Sequence, residues 1–124
     1  MVKKQMGIWM DHSIAFLLEL ENNKIIETKV EIETPETEVD YDSGKNEKLK
    51  NNKAQQFKIN YYKKLTDSIK NHQEVVLFGA TDAKNELFNI LKSENLLENI
   101  KLEMQVSDKM TALEMHEFVK TFFK

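Results

Sequence analysis

Three aspartates stand where this chain could do metal-assisted chemistry. Asp11 follows the apolar run Met6-Gly7-Ile8-Trp9-Met10, Asp82 follows Val75-Val76-Leu77-Phe78-Gly79, and Asp108 follows the alternating stretch Lys101 to Val106. If those runs are parallel strands of one sheet, all three carboxylates gather beyond the same edge, where open α/β sheets bind their ligands. Three convergent carboxylates hold magnesium and stabilise phosphoryl transfer. The same residues also serve local geometry. Asp11 can close an Asx turn, Asp82 can favour a helix N-terminus electrostatically, and Asp108 can shape the turn before the last helix. The local roles are the commoner use of aspartate. Which metal would bind, the spacing leaves open.

Other chemistry is sparse. His12, His72 and His116 fall in a turn, at a helix end and inside the last helix, with no pair at metal-ligand spacing. Ser13 and Ser43 have no histidine base beside them in sequence and no Gly-x-Ser-x-Gly elbow. The only glycines are Gly7, Gly44 and Gly79, so no phosphate-cradling glycine loop exists. The chain has no cysteine, which excludes disulfides, thiolate catalysis and cysteine-ligated zinc. No cofactor is implied.

The elements that position these residues are legible. Val75 to Phe78 is too short for a helix and has no polar residue for a solvated face, so it reads as a strand buried on both sides. It is the centre of the sheet. Met6 to Met10 and Ile14 to Leu20 are strands separated by the turn residues Asp11-His12-Ser13, and Glu21-Asn22-Asn23-Lys24 makes a hairpin into a third strand, Ile25 to Thr34. In that third strand Ile26, Thr28, Val30 and Ile32 alternate with Glu27, Lys29, Glu31 and Glu33, the pattern of a sheet edge. Pro35 ends it. Residues 36–50 offer little to bury and read as a mobile loop.

From about Asn52 to Asn71 a helix shows Phe57, Tyr61, Leu65 and Ile69 four apart, with Tyr62 beside the stripe. A second helix, about Thr81 to Ser93, carries Leu87 and Leu91. Lys101 to Val106 alternates as the other edge strand, and Thr111-Ala112-Leu113-Glu114 is a capping box for a last helix with Met115, Phe118, Val119 and Phe122. The order βββαβαβα with right-handed crossovers predicts one α/β domain over residues 1–124. Its five-stranded mixed sheet, in order 3-2-1-4-5 with helices on both faces, is the ribonuclease-H-like three-layer arrangement. Trp9 belongs to its core.

Composition narrows the partners. Net charge is −3, and all 18 basic residues are lysine. Without arginine, sequence-specific DNA reading is not expected, although lysines can hold a phosphate backbone. The N-terminus shows neither a secretory signal nor a membrane span, which makes the cytoplasm the default expectation.

Several stretches together resemble the bacterial release-factor-like proteins, among them those called host attachment proteins. They are Gly7-Ile8-Trp9-Met10-Asp11-His12-Ser13-Ile14-Ala15-Phe16-Leu17-Leu18, the helix with Phe57 and Leu65, Val75 to Gly79, Leu87 with Leu91, and Asp108-Lys109-Met110-Thr111. That family is similar to the middle domain of archaeal and eukaryotic peptide release factors and of pelota. The resemblance implies the fold reached above and a translation-associated role, with the ribosome or tRNA as partner. In release factors a Gly-Gly-Gln tip lies on the loop before the long helix. The corresponding tip residues here are Asn51, Asn52 and Lys53, and no Gly-Gly-Gln occurs. The expectation is a non-catalytic binding module. The alternatives are a magnesium-dependent nuclease using Asp11, Asp82 and Asp108, and a structural domain that forms a homodimer or joins a protein partner through an exposed patch of Tyr61, Tyr62, Phe122 or Phe123.

Overall fold

The computed structural model of the chain describes residues 4–32 and 47–123, and within 47–55 the backbone alone. Its elements are β1 (Gln5–Met10), β2 (Ile14–Glu21), β3 (Lys24–Glu31), α1 (Glu47–Ile69), β4 (Glu74–Gly79), α2 (Ala83–Ser93), β5 (Lys101–Val106) and α3 (Ala112–Phe122). A single 3₁₀ turn, Leu97–Asn99, leads into β5. The five strands form one sheet in the order β3-β2-β1-β4-β5. The meander β1-β2-β3 is antiparallel, whereas β1, β4 and β5 run parallel. This is the predicted ribonuclease-H-like arrangement.

The β2–β3 hairpin turns on Asn22 and Asn23, both in the left-handed region at φ 53° and 67°, with Glu21 facing Lys24 across it. Two consecutive left-handed residues match the twist of the flanking strands, and asparagine tolerates that conformation.

The unbroken apolar run of β4 has a simple cause: helices cover both of its faces. Val75 and Leu77 join Met6, Ile8, Met10 and Leu17 under Tyr61, Leu65 and Ile69 of α1 and Leu87 and Leu91 of α2. Val76 and Phe78 point the other way, joining Trp9 and Leu18 under Met115 and Val119 of α3. The two glycines of the sheet mark close approaches. A Cβ on Gly7 would collide with the Val119 side chain, so α3 sits directly on β1. Gly79 has φ +144°, and a Cβ there would lie 2.5 Å from the Met10 carbonyl oxygen. Only glycine lets β4 end in that conformation against β1.

Two expectations need correction. The long helix begins at Glu47 instead of about Asn52, because Glu47 to Lys58 contains many good helix formers and neither glycine nor proline. Residues 47–50 of the expected loop are therefore helical, and 36–46 lie outside the described residues. Tyr61 and Tyr62 form no exposed patch, since they are only 1% and 4% exposed. Phe122 and Phe123 are half-buried, at the end of a ring stack running from Phe78 through Phe118.

Candidate functional site

The parallel strands β1, β4 and β5 end on one edge, and the three aspartates all lie beyond it. The structure does not gather them into one cluster. The Asp11 carboxylate accepts the backbone N–H groups of Ser13 and Ile14, both at 2.8 Å, and so builds the β1–β2 turn. Asp82 occupies the cap position of α2, where its carbonyl accepts Asn85 and Glu86 N–H groups and its side chain makes no capping bond. Asp108 is exposed ahead of α3. That helix is capped instead by the reciprocal Thr111 and Glu114 bonds at 2.8 and 3.2 Å. Among the described residues no group of three or more His, Asp or Glu side chains is placed to hold a metal ion.

The histidines are likewise dispersed, each set against a different glutamate. His12 lies 3.7 Å from Glu86, His72 3.6 Å from Glu19, and His116 2.7 Å from Glu27. A cleft of about 660 Å³ lies at the opposite edge of the sheet, where Lys4, Gln5, Glu19 and Asn22 face Ser68 and His72. His72 donates through Nδ1 to the Ser68 carbonyl at 2.8 Å, because a carbonyl can only accept.

What the carboxyl edge does assemble is a polar cluster drawn from three elements. The Tyr62 hydroxyl of α1 donates to the Glu86 carboxylate of α2. Lys58 Nζ approaches the same oxygen at 3.3 Å, and His12 of the β1–β2 turn approaches the other. One turn away, the Tyr61 hydroxyl donates to the Asp11 carbonyl at 2.9 Å. Burial, the bond to Glu86 and the glutamate's charge push the Tyr62 pKa far up. Burial and then the Asp11 charge do the same for Tyr61. Glu86 is held below the usual carboxylate range by the Tyr62 hydroxyl, against an opposing push from burial, and then by Lys58 and His12.

Chemically, this cluster fastens. A carboxylate with a lowered pKa, shared among three donors, is a poor base, and tyrosines that keep their protons are poor nucleophiles. Its position gives it a purpose: it clamps α1 at the point where that helix leaves the sheet.

Helix α1 has 23 residues, a length of about 35 Å at 1.5 Å per residue. Its buried side chains Tyr61, Tyr62, Leu65, Thr66 and Ile69 all lie in the second half. Tyr61 already meets the carboxyl edge, so the 14 residues from Glu47 to Asn60 continue for roughly 20 Å before it. This projecting half is basic. Residues 47–60 carry four lysines and one glutamate, a balance of +3, which leaves −6 on the other 110 residues. The expected tip residues Asn51, Asn52 and Lys53 belong to it as helix, one turn in from its start, and not as a loop.

Sequence reasoning missed Lys58, Glu86 and the clamp as a whole. The only local hint was Tyr62, set beside the apolar stripe. Lys84 was also unforeseen: it is 5% exposed, with its ammonium donating to the Thr81 carbonyl at 2.8 Å.

No protein-family model matches the chain, and neither does any curated protein sequence. Among solved structures the chain is similar to Pelota of Archaeoglobus fulgidus, with a TM-score of 0.61 and 9% identity over 96% of this chain and 31% of that one. It is similar to the Pelota protein of Thermoplasma acidophilum as well, with a TM-score of 0.61 and 12% identity over 95% of this chain and 32% of that one. The chain thus spans about a third of the length of these proteins. At such identities the likeness establishes the fold. No described helix is long and apolar enough to cross a membrane.

Proposed function

We propose that this chain is a translation-associated binding module of the bacterial release-factor-like kind, which contacts ribosomal or transfer RNA through the projecting half of α1. The observation that carries the reading is the charge segregation along one clamped helix: +3 on residues 47–60, against −6 elsewhere. Lysines gather phosphate through counterion release, and a helix backbone that continues past the sheet edge sets this lysine-rich segment at the margin of an otherwise acidic chain. The likeness to Pelota, whose fold this chain shares, supplies the translational context. The lack of a Gly-Gly-Gln sequence and the dispersal of the three aspartates favour binding over peptide release or nuclease action.

Co-sedimentation of the purified chain with ribosomes across a salt series tests this. The wild type is expected to pellet saturably at low salt. A Lys48→Glu, Lys50→Glu, Lys53→Glu variant is expected to lose more than about tenfold in affinity, with a shallower salt dependence. Equal pelleting of both proteins would overturn the assignment of the surface, and no pelleting at any salt would overturn the partner.

A further inference from the structure

The two edges of the sheet are protected unequally. Strand β3 is tied to helices on both faces. Val30 packs into the α1 side of the core, Ile25 into the α3 side, and Glu27 is bonded to His116 of α3. Among the described residues strand β5 is covered at its start, where Leu102 packs into the α1 side of the core. Beyond it Met104 is 36% exposed and Val106 83%, two of the five exposed large apolar side chains among the described residues, against Ile26 alone on β3. Among the described residues no strand pairs with its outer edge.

The hydrogen bonds say which groups face outward. Lys101 N–H donates to the Gln73 carbonyl at 2.8 Å and Ser107 N–H to the Gly79 carbonyl at 3.2 Å, so the odd-numbered residues spend their backbone groups on β4. The outer edge therefore presents the N–H and C=O groups of Leu102, Met104 and Val106. Their side chains share one face, the face of Val75 and Leu77, to which Leu102 and Met104 are registered. Lys101, Glu103 and Gln105 occupy the other. An edge of six residues with no proline and one wholly apolar face is open to pairing, with charge confined to Lys101 and Glu103 on its other face.

We propose that β5 is a homodimer interface: a second copy of this chain adds its own β5 antiparallel, with the two-fold axis at Met104, making a continuous ten-stranded sheet. The argument for a second copy is that the strand is complementary to itself in this register. Leu102 faces the partner's Val106, Met104 faces the partner's Met104, and all three outward backbone units pair. On the opposite face Glu103 lies across from the partner's Gln105, a hydrogen-bonding match. Sliding the pair so that the axis falls at Glu103 would set two Glu103 carboxylates directly opposite, which is destabilising. Moving the axis to Leu102 would leave Val106 without a partner strand. Charge and apolar coverage thus favour the Met104 register over these two.

The test is sedimentation equilibrium of the full chain with single substitutions at Gln105, which is exposed and whose change leaves the core intact. In the proposed register Gln105→Lys sets a lysine opposite each Glu103 and tightens the dimer about 3- to 10-fold, while Gln105→Glu loosens it comparably. Val106→Asp, which places a carboxylate against Leu102, abolishes it. With the axis at Glu103, Gln105 would face Lys101 and the two effects would reverse in sign, overturning the register. A dimer indifferent to all three substitutions would overturn the surface. A monomer at every concentration would overturn the proposal.

Discussion

Helix α1 is one continuous helix whose two halves follow different rules. From Tyr61 to Ile69 its composition is dictated by the core: Tyr61, Leu65 and Ile69 are inaccessible against β1 and β4, and Tyr62 and Thr66 nearly so. From Glu47 to Asn60 no residue of the described part is fully buried, and charge replaces packing as the organising feature. Between them sits the clamp of Tyr61 on Asp11 and of Tyr62 and Lys58 on Glu86. The comparison teaches how a small domain holds a surface away from its body. It extends a packed helix past the sheet, where hydrogen bonds are no longer needed from neighbours because the helix supplies its own.

Substitutions should separate the two halves, beginning with the strongest. Leu65→Ala removes a fully buried side chain and should destabilise the fold by about 2 to 5 kcal/mol in urea unfolding. A triple Lys-to-Glu change at positions 48, 50 and 53 should move stability by less than about 0.5 kcal/mol while nearly abolishing ribosome binding. If that variant unfolds like Leu65→Ala, the halves are not independent.

The clamp gives intermediate effects. Tyr61→Phe and Tyr62→Phe each delete one hydroxyl bond and should cost about 1 kcal/mol apiece, read by the same unfolding assay. Both tyrosines have pKa values raised above the ordinary 10.0, so the folded state holds these protons more tightly than the unfolded chain. Their contribution is fully present below pH 10 and is lost as pH rises beyond it. The double Phe variant should show a flatter alkaline stability profile than the wild type. Glu86 works in the opposite direction. Its pKa is lowered, so its contribution is present above the ordinary carboxylate value and fades as pH falls through the lowered one. Because Glu86 is partly exposed and screened by solvent, Glu86→Gln should give the smallest change, within about 1 kcal/mol at neutral pH.

The sheet was legible because its signals are local. An uninterrupted apolar β4, an alternating β5, an Asn-Asn hairpin and the Thr111 to Glu114 capping box each occupy a few consecutive residues, and handedness then limits the order of strands. The packed half of α1 was legible by its four-residue spacing. The half before it was legible in part: the helix expected from about Asn52 takes in residues 52–60, with Phe57 in the same stripe, whereas residues 47–51, polar and ending in asparagine, imitate a loop. The clamp was out of reach for another reason. Tyr62 and Glu86 are 24 residues apart, and Tyr61 and Asp11 are 50 apart, so only the assembled fold brings them together. Lys84 defied the rule that lysines stay in solvent by turning its ammonium back to the carbonyl three residues before it. The three aspartates lie beyond one edge, yet a shared edge is several strands wide: Asp11 builds its turn, Asp82 caps α2 through its carbonyl, and Asp108 stays exposed.

The most direct test uses the absence of native cysteine, which lets a single Asn52→Cys or Glu117→Cys substitution carry a photo-crosslinker at the projecting half of α1 or on α3. Irradiated with ribosomes and tRNA, the probe at position 52 should crosslink to RNA and the probe at position 117 should not. Crosslinking from position 117 with none from position 52 would contradict the claim that the clamped, lysine-rich helix is the binding surface.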